Sequence, residues 1–325
     1  MNLQAEVVTL GETMAVLASP VGVSLRMARS LDLSIAGAES NVAIGLARLG
    51  WATAWCGRVG DDELGRLILA RLRSENVCTA GAIVDSTAPT GLMLKELRAA
   101  DLVRVTYYRR DSAGSRFGPT DVPNPLPASA RHLHLSGITP ALSSSCLHAA
   151  YYALTAARAA AMTISFDVNY RSALWPAQQA GPVLRELARR ADIVFATRPE
   201  AELLLAPDAE ISPDAGDEQI CRALAALGPA QAILKLGSRG ALSVADGDAQ
   251  AVPAEATTIA DQVGAGDAFV TGYLSAYLDR AGVADRLRAA VRTAAFALAA
   301  TGDWEGLPSR HDLDQWHSAA DAVRR

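Results

Sequence analysis

Asp261-Gln262-Val263-Gly264-Ala265-Gly266-Asp267-Ala268-Phe269-Val270-Thr271-Gly272 is a glycine-bounded turn that runs straight into an apolar helix. Two glycines let the backbone turn tightly and come close to a ligand. The first amides of the helix have no partner within it, so they can receive an anion. Asp267 stands at the same helix start. A carboxylate beside an anion site makes chemical sense where the anion is a phosphoryl group in transfer and the carboxylate takes the proton of the attacking hydroxyl. An ordinary capping aspartate after a glycine turn explains the same letters. The segment alone leaves both readings open.

Outward from this turn, apolar β-type runs alternate with helical patterns. The runs are 5–10, 52–57, 131–136, 162–168, 192–196, 231–236 and 241–245. Several are continuously apolar, as strands covered on both faces must be. Helical spacing recurs over 39–49, 62–76, 143–161, 178–190, 216–227, 266–281 and 283–300, with Asp61 or Asp62 able to cap the second. This alternation predicts an α/β fold, a doubly wound and mostly parallel sheet with helices on both faces. Residues 12–36 and 90–112 break the rhythm with short alternating strands, and are expected to pair as a small β-sheet lid inserted into one domain spanning 1–325. The stretch 117–128 would return the chain to the core, and 206–217 reads as a solvated loop.

Of the 325 residues, 50% are hydrophobic and the net charge is −5, with basic residues scattered rather than blocked. That predicts no nucleic-acid footprint and no membrane partner. Cys56, Cys78, Cys146 and Cys221 show no CxxC spacing, which fits free thiols in a reducing compartment. The N-terminal residues lack the basic and apolar regions of a signal peptide, so a cytoplasmic location is expected.

There is no Walker A sequence and no complete GxGxxG fingerprint. A second glycine cluster, Ala36-Gly37-Ala38-Glu39-Ser40-Asn41, precedes the helical VAIGLARLG, and Lys235-Leu236-Gly237-Ser238-Arg239-Gly240-Ala241 ends a strand in a turn. Together with Gly57–Gly65 and the 261–271 turn, in this order, these segments resemble the ribokinase-like (PfkB) carbohydrate kinase family over nearly the whole chain. Within it, 104–115, 135–139 and 166–175 are most similar to the 2-keto-3-deoxygluconate kinases.

The resemblance implies that Gly37, Tyr107, Arg109, Arg171 and Asp303 contact a sugar acid, with Asn41 and Ile138 in the same matched segments. It implies that Asn169, the turn carrying Lys235, Gly237, Ser238 and Gly240, and the loop Gly264, Ala265, Gly266 and Asp267 hold ATP. Mg²⁺ would bridge the phosphates, with Glu200 reaching it through water, and some relatives would place a monovalent cation such as K⁺ near Asp261. Chemistry favours the two arginines on separate grounds, since a planar, always-charged fork suits a carboxylate, although a surface salt bridge would use them equally well.

The chain departs from the family pattern at Ala36, at Gln262, at Thr197 in Thr197-Arg198-Pro199-Glu200, and at Met93, where sugar-acid kinases often carry a tyrosine. His132 and His134 share one strand face at a spacing compatible with metal, but no third ligand lies nearby, so a structural role is expected. Asp167 ranks below Asp267 as a catalytic carboxylate. The expected reaction is transfer of the γ-phosphoryl of ATP to the 6-hydroxyl of 2-dehydro-3-deoxygluconate, in a homo-oligomer formed through exposed lid strands. The alternatives are a fructokinase or other neutral-sugar kinase and, from a different class, a non-catalytic sugar-responsive binding protein.

Overall fold

The computed structural model describes residues 4–99, 102–206 and 214–323; most of the loop expected over 206–217 lies outside them. A nine-stranded sheet forms the centre, in the order Asp248–Val252, Ala241–Ala245, Gln231–Lys235, Ile193–Thr197, Thr163–Asp167, His132–Ser136, Val7–Leu10, Thr53–Cys56, Val77–Cys78. From Gln231–Lys235 to Val77–Cys78 every pairing is parallel; only Ala241–Ala245 and Asp248–Val252 run antiparallel. The seven expected strands are all present, with ends moved by a residue or two.

Successive residues of each strand feed opposite faces. Val7, Ile193, Phe195 and Ile233 pack under the helices Ala38–Arg48, Ala265–Leu278 and Val283–Leu298. Val8, Leu133, Ile164, Phe166 and Val194 pack under Ser144–Ala159, Ala177–Arg189, Arg198–Leu205 and Asp217–Ala226. Both sets are apolar, which is why the strands read as unbroken hydrophobic runs. Asp62 accepts from the Gly65 amide at 2.8 Å and caps the helix Glu63–Ser74, one of the two capping options in the sequence. Among the described residues no helix is long and apolar enough to cross a membrane.

The parallel register puts the carboxyl ends of five neighbouring strands on one edge of the sheet. Glu12, Ile138, Asn169, Thr197 and Lys235 follow or end those strands there. Ligands of open α/β sheets gather at this edge. Above it lies the small sheet, ordered Asp32–Ala36, Met14–Ala18, Leu92–Ala99, Leu102–Tyr108. Its inner side packs Met14, Val16, Ala36 and Met93 together.

Among the described residues no further His, Cys, Asp or Glu joins the His132–His134 pair in a group that could hold a metal. Both rings meet the Ser165 hydroxyl on the neighbouring strand, His132 Nε2 at 2.8 Å and His134 Nδ1 at 2.9 Å. Burial lowers each ring from 6.5 to about 3. The folded protein therefore binds fewer protons than the unfolded chain below pH 6.5, and stability is lost as pH falls from there toward 3. Between pH 6.5 and pH 5 the loss should be about 2 kcal/mol for each ring. Urea unfolding of the wild type and of His134→Gln at pH 7 and pH 5 checks this, and the variant should show the shallower pH dependence.

Candidate active site

Gly264 is the N-cap of the helix Ala265–Leu278 and sits in the left-handed region at φ 78°. A side chain there would also strike the Asp303 carbonyl, 2.0 Å from an ideal Cβ. Glycine is thus required twice, by backbone sign and by close approach. The first helical amide engaged in the ladder is that of Ala268, on the Gly264 carbonyl at 2.9 Å. Among the described residues the amides of Gly264, Ala265 and Gly266 donate to no protein acceptor. The helix is held in place from below, where Phe195 meets Phe269 and Tyr273 edge-on, with centroids 6.4 and 5.2 Å apart.

Asp267 lies in the first turn of this helix, partly open to a cleft of about 600 Å³. Its Oδ2 accepts from Asn41 Nδ2 at 2.8 Å. Protein packed around the rest of the carboxyl strips its water and raises it from 3.8 to about 7, against the lowering pull of the Asn41 hydrogen bond. Asp167 raises it further, while Arg171 and Lys235 oppose the shift. A carboxylate so tuned is suited to accept a proton near neutral pH. Asn41 was expected at the substrate; it lines the cleft, and its amide also fixes the carboxylate. Gly37, one turn earlier, passes so close to the Glu12 carbonyl that a Cβ would come within 2.4 Å of it.

The remaining expected sugar contacts converge on the same cleft: Tyr107, Arg109, Ile138, Arg171 and Asp303 all line it, as does Asn169. Two differ in detail from the expectation. The Arg109 fork is engaged on one edge by Glu12, with Nε at 2.7 Å and Nη2 at 2.6 Å from Oε2. Glu12 is buried and also accepts from Ser112 Oγ at 2.5 Å. Arg109 thus lines the cleft with one edge of its fork already bound. Arg171, by contrast, is exposed, and among the described residues its one hydrogen bond is Nη1 to the Tyr170 carbonyl at 3.3 Å. Met93, where the family often has tyrosine, is a buried part of the lid's inner cluster.

Behind the cleft, Lys235 Nζ donates to the buried Asp167 at 2.6 Å and passes 3.8 Å from an ideal Cβ at Gly266. Burial would lower this ammonium, but Asp167, Glu200 and Asp267 together raise it, so it stays charged. Gly237 and Gly240 bound a short 3₁₀ turn that includes Ser238, both at positive φ. A Cβ at Gly240 would lie 2.0 Å from the Val252 carbonyl, so that glycine already has a packing reason. The two Glu200 oxygens accept from the Tyr170 amide at 2.9 Å and the Thr197 amide at 2.7 Å. Asp261 is buried and paired with Lys95, whose Nζ lies 2.6 Å from Oδ2. Among the described residues no group of three or more His, Cys, Asp or Glu is placed to hold a metal.

The pfkB family carbohydrate kinase profile matches residues 4–310. The chain belongs to the PfkB family of carbohydrate kinases. It is similar to a 2-dehydro-3-deoxygluconokinase of Bacillus subtilis, 36% identical over 99% of this chain and 98% of the relative, and to a 2-dehydro-3-deoxygalactonokinase of Haloferax volcanii, 32% identical over 93% of each. Among solved structures, a PfkB protein of Polaromonas sp. JS666 superposes with TM-score 0.85 at 35% identity, covering 96% of this chain and 99% of that one. A sugar kinase of Pyrococcus horikoshii in complex with ATP superposes at 0.82 with 25% identity, covering 95% and 97%. The chain is therefore a sugar kinase, a phosphotransferase acting on an alcohol group, with the ribokinase-like fold.

Three residues of the kinase site escaped the sequence: Glu12, Glu39 and Lys95. Glu39 is buried, its Oε1 accepts from Ser136 Oγ at 2.8 Å and Thr139 Oγ1 at 2.6 Å, and it thereby holds the segment carrying Ile138. For Lys95 there was a signal. Of the 30 Lys and Arg residues only Lys95 and Lys235 are lysine, and both end in buried ion pairs at the site.

Proposed function

We propose that this kinase transfers the γ-phosphoryl group of ATP to the 6-hydroxyl of 2-dehydro-3-deoxy-D-gluconate, with Asp267 as general base. One observation carries the reading: a carboxyl tuned to about 7 stands at a helix mouth, beside amides that no protein group occupies, and faces a cleft bearing two arginines. In this reading the sugar carboxylate lies toward Arg171 and Arg109, and the far hydroxyl lies at Asp267. The base takes the hydroxyl proton as the oxygen attacks the γ-phosphorus, the bond to the bridging β-phosphate oxygen breaks and ADP leaves. The amides of Gly264, Ala265 and Gly266 receive the charge that grows on the phosphoryl oxygens, helped by the helix dipole. Asn169, Lys235 and the Gly237-Ser238-Arg239-Gly240 turn hold the nucleotide. The lid excludes water, the competing acceptor.

The site fits Mg²⁺ carried by the triphosphate. That ion keeps several waters and needs few protein carboxylates, which agrees with the lack of a preformed acidic cluster among the described residues. When bound, Mg²⁺ neutralises charge between the phosphates. Glu200, with each oxygen already on a backbone amide, would contact it through water. The lid's outer side leaves Leu33, Leu102 and Tyr108 exposed, and among the described residues the outer edges of its two edge strands pair with no further strand. A second copy of the chain is the occupant that satisfies both features. The four unpaired cysteines fit a cytoplasmic protein.

Asp267→Asn should leave ATP and sugar binding nearly intact while lowering turnover by roughly two to four orders of magnitude. Single-turnover assays check this, and a near-normal rate sinks the assignment. A panel of sugar acids of both C4 epimers, with fructose as the neutral comparison, tests the substrate. Arg171→Ala should cost the sugar acid about tenfold or more in kcat/KM and fructose much less; equal losses would remove Arg171 from carboxylate recognition. Leu33→Glu combined with Tyr108→Glu should shift the protein from dimer to monomer in sedimentation, and an unchanged mass would place the interface elsewhere.

A further inference from the structure

Lys95 comes from the lid strand Leu92–Ala99, yet its ammonium is buried at the foot of the phosphate-binding turn. It donates to Asp261 Oδ2 at 2.6 Å and reaches Asp303 Oδ1 at 3.4 Å. The Asp261 carboxylate joins two further parts of that region: Oδ1 accepts the Val263 amide at 3.1 Å, and Oδ2 accepts the Gly302 amide at 3.2 Å. Gly264 in turn rests on the backbone of Asp303. The ammonium thus sits where the lid, the turn and the 301–303 segment meet.

A monovalent cation at Asp261 does not fit this arrangement, because the place beside Oδ2 is taken by Nζ. The residue type is itself informative. Every basic residue except Lys95 and Lys235 is arginine. A guanidinium is wide and planar, whereas an ammonium is a compact point charge, close in size and charge to a bare monovalent ion.

We propose that Lys95 is a tethered substitute for a monovalent cation. It is a positioning residue that gives the phosphate-binding turn its form when the lid strand is docked, and it makes the kinase independent of added K⁺. The inference rests on the phosphoryl-transfer reading above. It adds that nucleotide binding and lid position are coupled through one side chain, since the charge that shapes the turn arrives with the lid.

The test compares turnover in K⁺, Na⁺ and tetramethylammonium salts at fixed ionic strength with saturating Mg-ATP. The wild type should vary by less than about twofold among them. Lys95→Ala should lose about tenfold in tetramethylammonium and regain a severalfold share of it in K⁺ or NH₄⁺, because the vacated space then admits a small free cation. Lys95→Met, which keeps most of the stem, should fall similarly and be rescued less; it also stands in if the alanine variant fails to fold. A wild type that needs K⁺, or a folded Lys95→Ala equally active in all three salts, overturns the proposal. ATP affinity of Lys95→Ala, measured by calorimetry without sugar, separates this claim from the kinase reading. If no sugar is phosphorylated but affinity still depends on K⁺, the substitution stands and the reaction assignment falls. Affinity that is the same in every salt removes the substitution as well.

Discussion

The site depends on keeping one carboxyl short of water at the positive end of a helix. Opposing influences act on Asp267. The Asn41 hydrogen bond and the charges of Arg171 and Lys235 favour the charged form, and a helix dipole adds about 0.3–1 kcal/mol for a surface group, which is less than one pKa unit. Desolvation favours the neutral form by up to several units for a buried acid. The larger effect wins, and the carboxyl settles near 7. Much of the surrounding structure preserves this balance. Asn41 holds one oxygen, Gly37 lets the helix of Asn41 approach, and Phe195 with Tyr273 fixes the height of the Asp267 helix over the sheet.

The cations of the cleft follow a single pattern. Lys235 is paired with Asp167, Lys95 with Asp261 and Asp303, and Arg109 with Glu12. Removing one member of such a buried pair leaves a charge without compensation, which costs several kcal/mol. These side chains are therefore fixed before any ligand arrives. Arg171 differs: it is exposed, and among the described residues it is bonded to its neighbour's carbonyl alone. In the proposed reaction, recognition of the carboxylate falls mainly to this residue, with Arg109 as a rigid second contact.

The central fold was legible because its signals are local. A strand buried on both faces reads as an apolar run, and Asp62 announces its helix by spacing. The glycine turn was legible for the same reason, since the left-handed φ of Gly264 demands glycine locally. Features that rest on partners distant in sequence were not. Nothing around residue 12 says that it will meet Arg109, and nothing around residue 95 says that it will meet Asp261, 166 residues away. The helix Arg198–Leu205 was also missed, although Pro199 in its first turn is a start signal; its eight residues are too few for a clear period. Arg109 shows the same division, with its place in the cleft legible and its bond to Glu12 not.

The lid is more than a cover. A sheet that only excluded water would need an apolar inner side, and Met14, Val16 and Met93 provide one. Arg109 follows this sheet's last strand and Lys95 lies within its third, the first lining the cleft and the second under the glycine turn. Both reach the floor of the cleft from above, and both meet buried carboxylates that belong to other parts of the chain. A lid displaced outward would strand Asp261 and Asp303 without their cation. Such a state is costly unless water or ions reach those carboxylates. In the coupling proposed above, opening and closing exchange solvent charge for protein charge beneath the glycine turn, and the lid's position and the turn's affinity for an anion become one variable.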